Sequence, residues 1–318
     1  MRPLAIAFVI AVAALASGCG GGDGAPKPHD VVLSLDFTPN AVHAPIYAAV
    51  REHRDTEHGI ALQIRKPGSG PDALKLVASG KVDLGILDIH DLAIARQQGT
   101  DLVAVGALVG RPLAALIAQP QIGRPKDLEG RTVGVSGLPS DPAFLRAILE
   151  HDGADYARVK QVTIGFAAVG QLLSRRIDAV PAFWNAEGVA LKRAGRPVRE
   201  FRVDDYGAPA YPEVVLITSR KTLEKRRGDI ASALAAIRAG MDDVRADPDA
   251  AAQQIAAAAD TRDVALTRAQ LDAVEPVFAP GLKLDRAVLE RWADFDARIG
   301  IVKTRPDVDR AFDFTLAG

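Results

Sequence analysis

Two short segments of the chain carry side chains that suit the binding of a small polar ring. The first runs from Leu35 to Tyr47 and contains Phe37, Asn40 and His43, at a point where a strand-like run gives way to a helix-like run. Open α/β sheets bind ligands at the carboxyl ends of their strands. We therefore expect this corner to offer ring stacking together with hydrogen-bond donors and acceptors. The alternative is that Phe37 is a core residue and Asn40 only caps the helix.

The second segment lies at the corresponding corner of the later half of the chain. It contains Phe183, Trp184, Asn185 and Glu187 within five positions. Two such corners facing each other across a hinge would hold a flat polar ring between them, and the carboxylate would accept charge-assisted hydrogen bonds from an amino group. The alternative is that Glu187 only favours the positive end of a helix and that Trp184 covers the surface. Tyr206 belongs to a turn-rich loop that we expect near the same cleft.

Other motifs of known chemistry are missing from the sequence. The six histidines show no pair four positions apart with a nearby acid, as a helical zinc site requires, and no dinucleotide or P-loop glycine pattern occurs. The sequence has no serine nucleophile elbow. Gly68-Ser69-Gly70 is either a plain turn or a loop that presents backbone N–H groups to a ligand. We therefore expect a binding protein without a catalytic residue, a metal or a cofactor.

Composition excludes several other classes of function. The 318 residues include 39 Lys and Arg against 40 Asp and Glu, a net charge of −1, which argues against a basic nucleic-acid surface. Aromatic residues make up only 5 %, which argues against a base-stacking platform. The single cysteine, Cys19, leaves neither an intrachain disulfide nor a zinc site built on cysteines.

The N-terminal residues have the pattern of a bacterial lipoprotein signal. Arg2 precedes an apolar run from Leu4 to Ala16, which is shorter than the ~20 residues that span a bilayer. We predict a signal peptide over 1–18, lipid attachment at Cys19 and a flexible tether over 19–29, whose glycines and prolines suit a linker. The alternative is ordinary cleavage beside a free thiol. The expected location is extracytoplasmic, anchored by lipid to a bacterial membrane.

From Val31 onward, short β-rich runs alternate with helical runs, which indicates βαβ units on mostly parallel sheets. Ser79–Leu84 and Ser174–Ala179 carry a similar phrase, so the two halves are expected to share a plan. Beyond the strand at Val214–Thr218 the chain is helical, with one helix predicted over Ile230–Ala246. We predict one α/β lobe from 30–112 with 213–318, a second lobe from 113–212, and two crossovers that form a hinge.

Several phrases together resemble a known family. They are "LDFTPNAVHAPIYAA", "SGKVDLGI", "RPKDLEGRTVGVSGLPSD", "DAVPAFWNAEGVAL" and "VDDYGAPAYPEVVLI". In this order they resemble the thiamine-pyrimidine and sulfonate/nitrate group of ABC-importer substrate-binding proteins, and most closely its formylaminopyrimidine-binding members. The resemblance implies an α/β clamshell of the type II periplasmic-binding-protein fold, an ABC permease as partner, and a monomer that captures a small molecule by lobe closure.

The resemblance also implies the ligand and the residues that contact it. The implied ligand is a thiamine-precursor aminopyrimidine, either formylaminopyrimidine or hydroxymethylpyrimidine. The implied contacts are Asp36, Phe37, Asn40, Trp184, Asn185, Glu187 and Tyr206. Phe37 stands where the family often has Trp, and Phe183 where Tyr is common, so a riboflavin-like ring, a sulfonate such as taurine, and nitrate remain alternatives. The related pyrimidine synthases are the enzymatic alternative, but their cysteine-rich signature is impossible with Cys19 alone.

Overall fold

The computed structural model describes residues 27–68, 72–137, 140–165 and 167–316. The first sheet consists of β1 (His29–Ser34), β2 (Ile60–Arg65), β3 (Leu84–Asp88), β4 (Leu102–Val109) and β10 (Val214–Ser219), in the order β2-β1-β3-β10-β4. β1 pairs in parallel with β2 and β3, whereas β10 runs antiparallel to β3 and β4. β1 starts at His29, the last residue of the predicted tether. The predicted signal peptide, Cys19 and tether residues up to Pro26 lie outside the described residues.

The second sheet has the same plan as the first. It consists of β5 (Ala114–Ala118), β6 (Thr132–Val135), β7 (Lys160–Thr163), β8 (Ala179–Phe183) and β9 (Arg199–Arg202), in the order β7-β6-β8-β5-β9. The chain passes to it between β4 and β5 and returns between β9 and β10. β5 and β10 each follow a crossover and run antiparallel to both neighbours, so the sheets are mixed rather than mostly parallel. The predicted α/β class with two lobes and two crossovers is confirmed.

The repeated phrase in the sequence corresponds to one repeated interaction. The carboxylate of Asp83 accepts a hydrogen bond from Val32 N at 2.9 Å, and that of Asp178 accepts one from Thr132 N at 2.9 Å. In return, Asp83 N donates to the carbonyl of Val32 at 2.9 Å and Asp178 N to that of Thr132 at 2.7 Å. Each Asp therefore stands directly before the middle strand of its own sheet and bonds that strand to the neighbouring parallel strand.

Helices cover both sheets. They are α1 (Ala44–Arg51), α2 (Arg54–Glu57), α3 (Asp72–Ala78), α4 (Ile89–Gln97), α5 (Asp141–His151), α6 (Ala168–Leu173), α7 (Val189–Arg193), α8 (Arg220–Ala246), α9 (Pro248–Ala258), α10 (Val264–Val274), α11 (Arg286–Arg298) and α12 (Val308–Ala311). None of the described helices is long and apolar enough to cross a bilayer.

Helix α8 is longer than the sequence pattern predicts. It begins at Arg220 rather than Ile230, because Ser219 caps its first turn by accepting a hydrogen bond from Thr222 N at 3.0 Å. Its first turns are highly charged, so they lack the apolar periodicity that marks the buried part. The helix packs closely on α1 at Gly240, where a Cβ atom would lie 2.1 Å from the carbonyl oxygen of Pro45.

Candidate ligand-binding site

The first corner is a loop between β1 and α1 that is fixed by its own side chains. Asn40 Oδ1 accepts a hydrogen bond from Val42 N at 2.9 Å and thereby caps the short 3₁₀ helix over Ala41–His43. His43 Nδ1 accepts from Asn40 N at 3.2 Å, so its Nε2–H donates to Asp36 Oδ1 at 2.9 Å. The His43 side chain is 1 % exposed and that of Asp36 is 23 % exposed. His43 therefore orients the Asp36 carboxylate, and Asn40 caps the helix, which was the alternative to a ligand contact.

The second corner begins where β8 ends and a single π-helical turn, Trp184–Gly188, follows. The turn brings Glu187 back over the end of the strand, where its Oε2 accepts a hydrogen bond from Phe183 N at 3.1 Å. Burial raises the pKa of the Glu187 carboxyl, and the backbone hydrogen bonds that it accepts only partly oppose this. One oxygen of Glu187 is therefore fixed by the Phe183 N–H, and the raised pKa favours the protonated form of the carboxyl.

The two corners line one cavity of about 340 Å³, a volume within the usual range for small-molecule sites. Six of the predicted residues contribute to its wall: Asp36, Phe37, Asn40, His43, Phe183 and Glu187. The structure therefore brings together an aromatic ring and a carboxylate from each corner.

Trp184 is placed elsewhere. Its Nε1 donates to the carbonyl of Pro112 at 3.1 Å, and the Arg202 guanidinium lies 4.3 Å from the centre of its ring. The π-helical turn directs Trp184 toward the first crossover, so the wall of the cavity receives Phe183 instead. Trp184, which the resemblance implies as a ligand contact, is therefore absent from the wall, and the aromatic residues of the two corners that line it are Phe37 and Phe183.

Asn185 and Tyr206 also lie outside the cavity wall. Asn185 is fully buried behind the corner, and neither polar atom of its side chain has a hydrogen-bond partner among the described residues. Tyr206 packs edge-on against His151 at 5.6 Å and Phe201 at 6.2 Å between ring centres. In this structure the two residues belong to the packing of the second lobe.

Four acidic residues of the wall were not predicted from the sequence: Asp88, Asp91, Asp141 and Glu213, which we call the acidic group. Asp88 ends β3 and caps α4, accepting a hydrogen bond from His90 N at 2.7 Å. Its position at the carboxyl end of a strand was a signal that could have identified it. The sequence around Glu213 gives no comparable indication, because this residue lies at the end of the second crossover and not at the carboxyl end of a strand.

Glu213 joins the two crossovers through its carboxylate. Its Oε2 accepts hydrogen bonds from Leu113 N at 2.5 Å and Ala114 N at 3.0 Å, 100 and 99 positions away in the chain. Burial raises the pKa of both Glu213 and its neighbour Asp88, and the nearby Glu213 charge raises that of Asp88 further. Two buried carboxyl groups this close to each other disfavour ionisation of both.

A buried ion pair lies behind the acidic group. His90 Nδ1 donates to Asp296 Oδ1 at 2.7 Å, and both side chains are almost fully buried. Burial by itself lowers the pKa of His90, but the charges of Asp296, Asp88 and Glu213 outweigh it and raise the pKa to about 10. One atom from each of Asp88, His90 and Glu213 lies within 4.8 Å of the others, so these three have the spacing of metal ligands. A cationic imidazole is however a poor ligand for a metal ion.

The chain is similar in sequence to a known family and to proteins of known name. Residues 40–251 match the family described as NMT1/THI5 like. The formylaminopyrimidine-binding protein of Halalkalibacterium halodurans is 33 % identical over 224 residues, which is 70 % of this chain and 68 % of the relative. A 4-amino-5-hydroxymethyl-2-methylpyrimidine phosphate synthase of Saccharomyces cerevisiae is 26 % identical over 232 residues, 69 % of this chain and 68 % of the relative.

Solved structures share the fold at lower identity. The alkanesulfonate-binding protein SsuA of Xanthomonas axonopodis pv. citri superposes with a TM-score of 0.73 over 91 % of this chain and 99 % of its own, at 16 % identity. This likeness concerns the fold alone. Since the family match covers most of the chain, the chain belongs to the NMT1/THI5-like family and has the two-lobe fold of periplasmic substrate-binding proteins.

Proposed function

We propose that this chain is the extracytoplasmic substrate-binding lipoprotein of an ABC importer and that it captures a thiamine-precursor aminopyrimidine by lobe closure. The observation that carries the proposal is the single cavity into which each corner contributes one aromatic ring and one carboxylate. The 33 % identical relative from Halalkalibacterium halodurans is named a formylaminopyrimidine-binding protein. Ligand contacts made from both lobes would stabilise the closed form over the open one.

Phe37 and Phe183 stack on the two faces of the ring in this proposal, and Glu187 pairs with its amino edge. The 4-amino group donates a hydrogen bond and the neighbouring ring nitrogen accepts one. A carboxyl group that keeps its proton presents the complementary acceptor and donor, and burial of Glu187 favours that form. Asp36, oriented by His43, offers a second acceptor from the opposite corner.

Anionic ligands fit this wall less well. Among its described residues no Lys or Arg occurs, whereas a sulfonate or nitrate site requires cationic or clustered backbone donors. The pyrimidine synthases are the second candidate, because relatives carry that name. Formation of a pyrimidine product by the chain with iron and pyridoxal phosphate would favour this alternative over a pure binding role.

The binding proposal is tested by calorimetric titration of the purified chain with formylaminopyrimidine and hydroxymethylpyrimidine. Glu187→Ala is expected to weaken binding by about 1–3 kcal/mol, because it removes both the acceptor and the donor that the protonated carboxyl presents to the ring. The matched control is Glu224→Ala, an exposed residue of α8 outside the cavity wall. Absence of binding heat and of a thermal shift with either compound at millimolar concentration would overturn the proposal.

The lipid anchor is tested separately. Expressed in a bacterial host, the chain should partition into the detergent phase of a Triton X-114 extraction, and Cys19→Ser should move it to the aqueous phase. Equal partitioning of both forms would contradict lipid attachment at Cys19 without affecting the ligand proposal.

A further inference from the structure

Helix α10 contacts both corners of the cavity. It packs against the short 3₁₀ helix Ala41–His43 of the first corner, and against α7 and the turn Trp184–Gly188 of the second. One of its side chains, Gln270, lines the cavity together with residues from both corners. Gln270 therefore belongs to the cavity wall at the boundary between the two corners.

The packing of α10 makes this helix part of the first lobe. Leu271 and Val274 are fully buried and belong to the same apolar core as the side chains of β1. Arg268 Nε also donates a hydrogen bond to Asp249 Oδ1 of α9 at 2.8 Å. A bond from α10 to the second corner therefore joins the two lobes.

Gln270 makes such a bond with the backbone of the second corner. Its Nε2 donates to the carbonyl oxygen of Ala186 at 3.0 Å, across 84 positions of the chain. Ala186 lies inside the π-helical turn and directly precedes Glu187. A side chain of the first lobe is therefore bonded to the peptide unit that leads into the carboxyl group of the second corner.

The same peptide unit is bonded to the Glu187 side chain at its other end. The Glu187 carboxylate accepts a hydrogen bond from its own backbone N–H as well as from Phe183 N. The Ala186 carbonyl and the Glu187 N–H belong to one planar unit, so an orientation that is fixed at the carbonyl is fixed at the N–H too. Each hydrogen bond in such a chain also polarises the next one. Gln270 thus acts on the carboxyl group through one rigid peptide plane.

We propose that Gln270 is a positioning residue, which holds the Glu187 carboxyl from the first lobe in the orientation that binds the amino edge of the ligand. This inference rests on the proposed pyrimidine function and deepens it. Lobe closure brings the Gln270 donor to the turn, so Glu187 reaches its binding orientation only in the closed form. The ligand-binding site of the second corner is then complete only when the first lobe is in place.

The test is a double-mutant cycle on the full chain. Gln270→Met keeps the length of the side chain and removes its N–H donors, and Glu187→Ala removes the group that is positioned. Formylaminopyrimidine is titrated calorimetrically into the wild type, both single variants and the double variant. In the wild type, Gln270→Met is expected to weaken binding about 3- to 10-fold, as the loss of one hydrogen bond does. In the Glu187→Ala background it should weaken binding less than about twofold, because no carboxyl remains to be positioned.

The matched control is Gln253→Met, an exposed residue of α9 outside the cavity wall, which should keep the wild-type affinity. Circular dichroism checks that all variants fold. A second measurement, without ligand, follows the Glu187 amide proton by NMR. A donor at the Ala186 carbonyl polarises the peptide unit and deshields this proton, so Gln270→Met should move its resonance to lower frequency and Gln253→Met should not. This measurement decides the inference if Glu187→Ala binds too weakly to be titrated.

The outcomes separate the inference from the function on which it rests. If the wild type binds neither formylaminopyrimidine nor hydroxymethylpyrimidine, the pyrimidine function fails and the positioning role falls with it. If Gln270→Met weakens binding by the same factor in both backgrounds, Gln270 contacts the ligand directly, and the positioning role is overturned while the pyrimidine function stands. An unchanged affinity in Gln270→Met, or an unchanged Glu187 resonance, also overturns it.

Discussion

Glu213 offers a sharp test of how the two lobes are joined. Its carboxylate is the acceptor for Leu113 N and Ala114 N at the entrance to the second sheet, and Leu113 is fully buried. Glu213→Ala would leave both N–H groups without an acceptor, at about 1–3 kcal/mol each. We therefore expect this variant to lower the free energy of unfolding by about 2–6 kcal/mol.

Glu213→Gln is the matched control, because it keeps one oxygen for the two N–H groups. Its amide nitrogen would face Asp88, where it donates to a carboxylate instead of repelling it, so we expect a change within about 1 kcal/mol. Urea denaturation followed by circular dichroism without ligand measures both variants. A loss under about 1 kcal/mol for Glu213→Ala, or equal losses for both variants, would refute the view that this acceptor holds the crossovers together.

Two further predictions concern the helices. Gly240→Ala should destabilise the chain by about 1–3 kcal/mol or more, since its Cβ would overlap the Pro45 carbonyl. At Gly228 on the same helix an added Cβ would have no atom within 4 Å, so Gly228→Ala should stabilise the folded chain by about 0.5–1 kcal/mol. A melting temperature for Gly240→Ala that is equal to or higher than that of Gly228→Ala would contradict the close contact between α1 and α8. The Asp91 pKa is raised from 3.8 to about 7, mainly by burial. Between pH 3.8 and about pH 7 the folded state therefore binds one more proton than the unfolded state does. The free energy of unfolding that this proton contributes falls as the pH rises through that range. Asp91→Asn should gain stability relative to the wild type from pH 5 to pH 8 in urea denaturation, and a constant difference would contradict the shift.

The sequence located both corners of the site because each is a local feature. A strand end followed by a helix start places Asp36, Phe37, Asn40 and His43 within eight positions, and proximity along the chain keeps them together in the fold. The same local logic offered helix capping as the alternative role of Asn40, which the structure shows, and it placed Glu187 beside the end of β8.

Locality was not enough to decide which aromatic residue of the second corner lines the cavity. Phe183 and Trp184 are adjacent, and the π-helical turn that begins at Trp184 directs its ring to Pro112 and Arg202. The partner of that ring belongs to a crossover 72 positions away. No periodic pattern in the sequence reports such a contact.

The sequence by itself determined the class of the fold, the repeated plan of the two halves and the two corners, because the alternation of strand and helix and the residue types of each corner are patterns over a few neighbouring positions of the chain. Only the tertiary structure decided the charge of the cavity. Asp88 and Glu213 are far apart in the chain, and the Glu213 charge raises the pKa of Asp88 only because the second crossover returns beside β3. Burial then raises their pKa values, and burial is a property of the assembled fold.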